Sequence, residues 1–267
     1  MQIITSPENA QIKHYRKLAA SKKERKLTGL FVLEGLRLVL DAAKNGAKIY
    51  QLFCTEDGFS KWEQQRPPCA IPCTLLSEKL ATMLSQTEHS QGVYAICEKP
   101  KSLSINAFFK KKGLYAILYQ IQDPGNAGMI LRTADAMGID GVVYCACCDI
   151  YNPKVVRATM GSLFRIPVCQ VDEIESVFDA CHRENITTCA AVINPTAEPV
   201  GQCSFTQGTA ILIGNEGNGL PPKTAQRCDR QITIPMHGNI ESLNAAMAAG
   251  IILWELKNGV TSHGESN

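Results

Sequence analysis

The second half of this 267-residue chain alternates short apolar segments with helix-length segments, and this alternation restricts the fold more than any other feature. Segments typical of strands lie at 114–121, 141–147, 188–193, 209–213 and 230–235, and segments typical of helices at 128–137, 153–160, 172–185, 221–227 and 242–257. Strands interleaved with helices of this length indicate βαβ crossovers, in which helices cover both faces of a parallel sheet. The pattern therefore predicts an α/β domain over residues 113–267.

The first half of the chain predicts a smaller α/β domain over residues 1–105. Apolar segments at 31–35, 49–54, 74–76 and 93–96 are typical of strands, and helical segments at 36–45 and 77–84 lie between them. The polar and basic segment KPKSLSINAFFKKKG at 99–113 precedes the apolar segment at 114–121. It therefore predicts the boundary between the two domains.

Charge is divided unevenly between the two halves. The net charge is only +2, but residues 1–112 carry 18 Lys/Arg and 10 Asp/Glu, whereas residues 113–267 carry 9 and 15. A basic half joined to an acidic half indicates that the basic half binds a polyanion. The positive charge is concentrated at 11–26, where the only acidic residue is Glu24. If this run binds a polyanion, the residues predicted to contact it are Lys13, Arg16, Lys22, Lys23 and Arg25. The alternative interpretation is that the run is only a solvated helix face.

Other features argue against a membrane, exported or metal-binding protein. The most apolar stretch, Ala245–Trp254, has about half of the ~20 residues that a membrane-spanning helix needs, and the N-terminus has no apolar segment typical of a signal peptide. We therefore expect a cytoplasmic protein with its twelve cysteines reduced. The pairs Cys145/Cys148 and Cys69/Cys73 leave a zinc site as an alternative. Because Cys145 and Cys148 lie in a predicted strand, alternation would separate their thiols, and no metal site is expected.

Three motifs each follow a predicted strand, and the first is QDPGNAGMILRTADAMG at 122–138. Residues 123–126 are typical of a turn, and Gly128 allows close entry into a helix. Arg132 then projects from the first turns of that helix toward the carboxyl edge of the sheet, where open α/β sheets bind ligands. An ordinary strand-turn-helix connection with a surface arginine is the alternative interpretation.

The second motif is ILIGNEGNGLP at 211–221, an apolar strand that leads into three glycines. Glycines allow a ligand to approach the bare backbone, but neither phosphate-loop spacing is present, and the carboxylate of Glu216 would repel a phosphate. The loop therefore suits a neutral or cationic ligand or a partner arginine; a plain glycine turn is the alternative.

The third motif is IPMHGNIESLNAAMAAGIILWE at 234–255, in which Ser242 and Asn244 begin a helix rich in small residues. By itself it is typical of a buried helix with a polar cap, because alanine and glycine allow helices to pack closely.

Together and in this order, the three motifs resemble the SpoU (TrmH-type) branch of the SPOUT RNA methyltransferases. The N-terminal stretch ITSPENAQIKHYRKLAASKKERKLTGLFVLEG resembles, more loosely, an L30e-like substrate-binding domain of rRNA-modifying members. The resemblance implies a C-terminal domain with a deep trefoil knot, here roughly Val192–Ala249, which is an exception to the unknotted topology of most proteins. It also implies a homodimer formed through the C-terminal domain, with the helix that starts at Ser242 at or beside the interface.

The implied cofactor is S-adenosylmethionine, held mainly by backbone groups near Gly214, Ile234, Met236 and Leu243. The implied reaction is methyl transfer to a ribose 2′-hydroxyl of RNA, and the L30e-like half favours 23S rRNA as the substrate. A tRNA methyltransferase and a catalytically inactive RNA-binding homologue are the alternatives. The same resemblance assigns RNA to the basic N-terminal residues.

The motifs place five residues in the implied catalytic site: Asn126, Arg132, Glu216, Ser242 and Asn244. Arg132 is the family's key polar residue, and its role is either that of a base or that of an electrostatic stabiliser. A guanidinium remains protonated in proteins, so stabilising a developing alkoxide or holding a phosphate fits its chemistry better. Glu216 is expected to orient Arg132, and Asn126, Ser242 and Asn244 to bind the RNA backbone and fix the loops.

Overall fold

The computed structural model describes residues 3–68, 70–87, 90–238 and 240–264, with side chains described as far as residue 260. Up to Lys101 the elements are β1 (Ile3–Ile4), α1 (Ala10–Ala20), α2 (Lys22–Thr28), β2 (Leu30–Glu34), α3 (Leu36–Lys44), β3 (Ile49–Cys54), α4 (Glu56–Gln65), β4 (Cys73–Leu76), α5 (Glu78–Leu84) and β5 (Val93–Glu98). They are followed by α6 (Ile105–Phe108), β6 (Leu114–Tyr119), α7 (Pro124–Ala136), β7 (Gly141–Cys145), α8 (Pro153–Ala158), β8 (Val168–Val171), α9 (Ile174–Arg183), β9 (Thr187–Ala191), β10 (Glu198–Pro199), β11 (Thr209–Ile213), α10 (Pro222–Gln226), β12 (Arg230–Thr233) and α11 (Ala245–Gly264).

These elements pack as two compact units. The first unit contains a sheet in the order β1-β4-β3-β5-β2. Its β1, β4 and β3 are parallel to one another, and β5 is antiparallel to both β3 and β2. One face of the sheet is covered by α1 and α5, whose buried Ile12, Leu18 and Leu80 belong to one apolar cluster with Phe53 and Tyr94 of the strands.

The first unit also includes a segment from later in the chain, Tyr151–Phe164, which contains α8. Phe31 of β2 lies against the rings of Tyr151 and Phe164, with centroids 5.0 and 6.3 Å apart. Glu34, at the end of β2, is almost buried and accepts a hydrogen bond from Arg157 of α8 at 3.5 Å. The predicted domains at 1–105 and 113–267 place this segment in the second domain, whereas its packing partners lie in the first unit.

The second unit contains a fully parallel sheet in the order β10-β12-β9-β11-β6-β7-β8. Its central strands β6, β7 and β11 are buried along nearly their whole length, as expected of a parallel sheet with helices on both faces. The prediction of an α/β fold with a parallel sheet is confirmed. The trefoil knot stays a prediction.

Several boundaries in the second unit differ from the sequence prediction. The strands β8 and β10 are additional, because a four-residue and a two-residue strand are too short to show a periodic pattern. The helix α7 begins at Pro124 instead of residue 128, since the side chain of Asp123 caps its first turn by accepting the N–H of Asn126 at 2.8 Å. None of the helices in the described part of the chain is long and apolar enough to cross a membrane.

Candidate active site

The three motifs meet at the carboxyl edge of the second unit's sheet. The strands β6 and β11 are parallel neighbours, so the segments that follow them leave the sheet side by side. The segment after β6 consists of a loop and the first residues of α7 (residues 120–126, together called the substrate loop), and the segment after β11 is the glycine loop (residues 214–220). The register pairs Leu118 with Ile213, one residue before the glycine loop begins. Adjacent parallel strands thus bring together two motifs that are about ninety residues apart in sequence.

The side chain of Glu216 joins the two loops. One carboxylate oxygen accepts hydrogen bonds from the N–H of Asp123 at 2.9 Å and from the side-chain amide of Asn126 at 3.2 Å. The other accepts the N–H of Gln122 at 3.1 Å and the side-chain amide of Asn215 at 3.4 Å. Glu216 therefore holds the substrate loop against the glycine loop.

The hydrogen bonds at Glu216 also determine its charge. Partial burial opposes ionisation of the carboxyl group, but N–H groups of Glu216 itself, Gln122 and Asp123 and the side chain of Asn126 stabilise the carboxylate more strongly. The pKa of Glu216 is consequently held below its ordinary value. The residue is a carboxylate at neutral pH.

The third motif is connected to the first through two asparagines. The side-chain amide of Asn244 donates to the side-chain oxygen of Asn126 at 3.0 Å. The other end of the Asn244 side chain caps α11 by accepting the N–H groups of Ala246 and Met247 at 2.9 and 3.3 Å. Because Asn126 is buried, both ends of its amide are fixed by Glu216 and Asn244. The helix α11 begins at Ala245, so Ser242 lies before the helix instead of within its first turn.

A cavity of about 490 Å³ lies beside this network, within the ~300–1,000 Å³ range of small-molecule sites. The four residues predicted to hold a cofactor, Gly214, Ile234, Met236 and Leu243, all line it, and so do Glu216 and Ser242. A side chain at Gly214 would place its Cβ 2.3 Å from the carbonyl carbon of Gly219, so only glycine allows this close approach of bare backbone. Apolar walls, free backbone and one carboxylate fit a cofactor that combines an adenosine with a cationic sulfonium.

Arg132 lies on the exposed side of α7, six residues after Asn126. Among the described residues, the partners of Glu216 are groups of the two loops and do not include Arg132. The expectation that Glu216 orients Arg132 is therefore not met within one chain. The helix instead fixes Arg132 relative to Asn126, because both belong to α7.

The comparisons with known proteins agree with this geometry. The SpoU rRNA methylase family matches residues 113–254, and the MRM3-like substrate-binding domain matches residues 9–95. The chain belongs to the SpoU rRNA methylase family. It is therefore an RNA methyltransferase by family, as its three motifs predict.

Relatives of this SpoU methylase extend over nearly the whole chain. The 23S rRNA (guanosine(2553)-2′-O)-methyltransferase RlmP of Bacillus subtilis is 31% identical over 258 residues, which are 96% of this chain and 100% of the relative. A 23S rRNA (uridine(2479)-2′-O)-methyltransferase of Streptomyces viridochromogenes is 31% identical over 94% of this chain and 90% of its own. The crystal structure of an AdoMet-bound rRNA methyltransferase from Sinorhizobium meliloti superposes with a TM-score of 0.82 at 28% identity, covering 96% of this chain and 97% of that one.

The basic residues of this SpoU methylase lie on α1 and α2 of the first unit. Lys13, Arg16, Lys22 and Lys23 are exposed. Arg25 differs, because it is only 2% exposed and its guanidinium donates to the carbonyl oxygens of Leu18 and Ala19 at 2.5 and 3.1 Å. These carbonyl groups lie in the last turn of α1, where no later turn of the helix donates to them. The guanidinium of Arg25 takes the place of that missing donor and stabilises the fold. This burial argues against the predicted RNA contact of Arg25, and we do not include it among the residues proposed to bind RNA.

Sequence reasoning did not assign roles to Asn215 and Gln122, whose side chains cross-link the loops. Asn215 donates to the carbonyl oxygen of Gln120 at 2.8 Å, and Gln122 donates to that of Ala146 at 3.1 Å. An asparagine beside a glycine-rich turn is a recognisable signal of local side-chain to backbone bonding. No signal in the sequence indicated that the partners lie on other loops.

Proposed function

We propose that this SpoU methylase transfers a methyl group from S-adenosylmethionine to a ribose 2′-hydroxyl of 23S rRNA. The observation that carries the proposal is the hydrogen-bonded network of Asn126, Glu216 and Asn244 beside a cavity lined by every predicted cofactor residue. Full-length relatives that act on 23S rRNA support rRNA over tRNA, since they match both the catalytic and the substrate-binding parts of the chain.

Different residues of the chain would bind the cofactor, hold the loops and stabilise the developing charge in this reaction. Gly214, Ile234, Met236 and Leu243 would hold the cofactor, which supplies a methyl group made electrophilic by its sulfonium. The side-chain amides of Asn126 and Asn244 stabilise the loops that face the RNA. Arg132 then donates N–H groups to the ribose oxygen as the hydroxyl proton passes to solvent water and negative charge develops there, or to the adjacent phosphate. Holding the hydroxyl in line with the methyl group is the main contribution, because alignment converts an encounter into an intramolecular step.

The proposed functional domains are a substrate-binding domain at 1–105 and a methyltransferase domain at 113–267. The exposed Lys13, Arg16, Lys22 and Lys23 on α1 and α2 would contact RNA phosphates. We place the protein in the cytoplasm, where rRNA is accessible to it.

The second unit also supports a homodimer. Met247, Ile251 and Trp254 of α11 are 59%, 37% and 53% exposed, and their spacing places them on one face of the helix. The opposite face of α11, including Ala249, Ile252 and Leu253, is buried. A helix that is apolar on its exposed face is typical of one covered by a partner, and we propose a second copy of this chain as that partner.

The test of the proposed function is the variant Arg132→Ala with Arg183→Ala as a matched control, since Arg183 is exposed and lies away from the cavity. Methyl transfer from labelled cofactor to 23S rRNA is expected to fall by at least about 100-fold in Arg132→Ala, the typical cost of removing one electrostatic stabiliser. Cofactor affinity, measured by calorimetry, should change by less than about threefold, because Arg132 does not line the cavity. Near-normal turnover in Arg132→Ala would refute the role of Arg132.

Mapping the methylated ribose by its resistance to alkaline cleavage separates the candidate substrates. A protected position in 23S rRNA supports the proposal. A protected position in tRNA would show that the substrate is tRNA and not rRNA. An inactive wild-type protein that still binds RNA would favour the inactive homologue.

A further inference from the structure

Two residues with left-handed backbone lie at the carboxyl ends of neighbouring strands beside the active site. Gln120 follows β6 with a φ of 58°, and Ala146 follows β7 with a φ of 52°. Residues other than glycine adopt this conformation at a cost in free energy, and they persist where surrounding contacts hold them in place. The contacts around Gln120 therefore indicate what holds the substrate loop in position.

The carbonyl oxygen of Gln120 accepts side chains from two different loops. The amide of Asn215, from the glycine loop, donates to it at 2.8 Å. The amide of Gln122, from the substrate loop, donates to it at 3.4 Å and to the carbonyl of Ala146 at 3.1 Å. The left-handed turn at Gln120 is thus held by hydrogen bonds from both the glycine loop and the substrate loop.

Asn215 uses the two ends of its side chain for different purposes. Its oxygen accepts the N–H groups of Gly217 and Asn218 at 3.0 and 3.1 Å, which closes the turn of the glycine loop. Its amide nitrogen leaves the loop and reaches Gln120. The next residue, Glu216, holds the N–H groups of Gln122 and Asp123, so the position of Asn215 sets the position of that carboxylate.

We propose that Asn215 is a positioning residue for methyl transfer: its side-chain amide fastens the glycine loop to Gln120 and thereby places Glu216 to hold the loop that carries Asn126. Asn215 lines the cavity, so the same residue connects the cofactor side of the site with the substrate loop. The inference rests on the proposed function for its kinetic readout, but not for its structural one.

The test is the variant Asn215→Asp. The introduced carboxyl group still offers an oxygen to Gly217 and Asn218, but it lacks the donor for Gln120 and turns a second oxygen toward that carbonyl and toward Glu216. Deuterium exchange should become at least about tenfold faster at the N–H groups of Gln122 and Asp123, while those of Gly217 and Asn218 change by less than about threefold. Unchanged exchange at Gln122 and Asp123 would overturn the proposal whatever the kinetics show.

The kinetic readout separates positioning from cofactor binding. The kcat of Asn215→Asp should fall about 10–100-fold, since a small displacement of the reacting groups costs this much, while the KM for the cofactor stays within about threefold. Protonation of the introduced carboxyl group restores a donor, so the kcat relative to wild type should rise as the pH falls. A rise in KM with an unchanged kcat would contradict a positioning role.

Two further variants keep the test decisive. Gln122→Met removes the other amide without adding charge and should accelerate exchange at the same N–H groups. Gln207→Glu, an exposed amide-to-acid change in the same unit, should leave exchange and kcat unchanged. An inactive wild-type protein would refute the proposed function, whereas the exchange measurement would still decide the role of Asn215.

Discussion

At the scale of single residues, the site is held together by polar side chains that form hydrogen bonds with backbone groups of its loops. Glu216 accepts two backbone N–H groups of the substrate loop, and Asn244 caps α11 while it binds Asn126. The resemblance of the three motifs to the SpoU family identified these residues as functional, because each motif by itself is equally typical of a turn or a capped helix. Their partners were not predictable, because the partners are contributed by strands and loops distant in sequence.

The lowered pKa of Glu216 predicts a pH-dependent contribution to stability. A carboxyl group whose pKa is depressed by folding stabilises the protein above its unfolded value of about 4.5, and this contribution is lost as the pH falls through the lower folded value. At pH 7 the variant Glu216→Gln should melt about 2–4 °C below wild type, the shift that ~1 kcal/mol produces in a protein of this size. The difference should shrink as the pH is lowered from 5 to 3.

Thermal unfolding at several pH values measures this effect. A difference between wild type and Glu216→Gln that stays constant from pH 7 to pH 3 would show that the carboxylate charge is not what stabilises the loops. Glu173→Gln, at an exposed position on the same unit, is the control.

At the scale of elements, α1 and α2 illustrate how one run of basic residues serves two purposes. The helical spacing places Lys22 and Lys23 outward, whereas Arg25 points inward to the carbonyl end of α1. Charge composition predicted the whole run as one surface, and the burial of one member depended on the packing of α2 against α1.

This contrast predicts that substitution of Arg25 lowers stability, whereas substitution of the exposed lysines weakens RNA binding. Arg25→Ala leaves carbonyl groups of Leu18 and Ala19 without a partner and should lower the free energy of unfolding by about 2 kcal/mol. The double variant Lys22→Glu and Lys23→Glu should leave stability within about 0.5 kcal/mol but weaken RNA binding and flatten its salt dependence. Denaturant unfolding and RNA binding at several salt concentrations measure the two effects.

The control for charge reversal is the pair Lys44→Glu and Lys79→Glu, which are exposed on other helices of the first unit. Equal losses of RNA affinity in both double variants would mean that net charge matters and the α1–α2 surface does not.

At the scale of the whole molecule, the chain does not divide at a single point. Tyr151–Phe164 leaves the parallel sheet after β7, packs with the first unit and returns to β8. The composition of the chain predicts a boundary near residues 99–113. It does not predict that Tyr151–Phe164 packs with the first unit, because the apolar side chains of this segment are compatible with burial in either unit.

The proposed dimer gives a prediction at the same scale. Trp254→Glu combined with Met247→Glu places two charges on the exposed face of α11 and should convert a dimer into a species of 29.1 kDa, measured by sedimentation equilibrium. Tyr50→Glu, which removes a 61% exposed aromatic of the first unit, should leave the mass unchanged. A monomeric wild-type protein would contradict the dimer.

The sequence by itself determined the alternation of strands and helices, the parallel sheet and the residues of the three motifs. These follow from local patterns, since periodicity, turn chemistry and motif spacing each act over a few residues. The tertiary structure alone decided which groups meet: Glu216 with the substrate loop instead of Arg132, Arg25 with the end of α1, and residues 151–164 with the first unit. Such pairings depend on which strands are neighbours and which faces are buried, and both result from the packing of the entire chain.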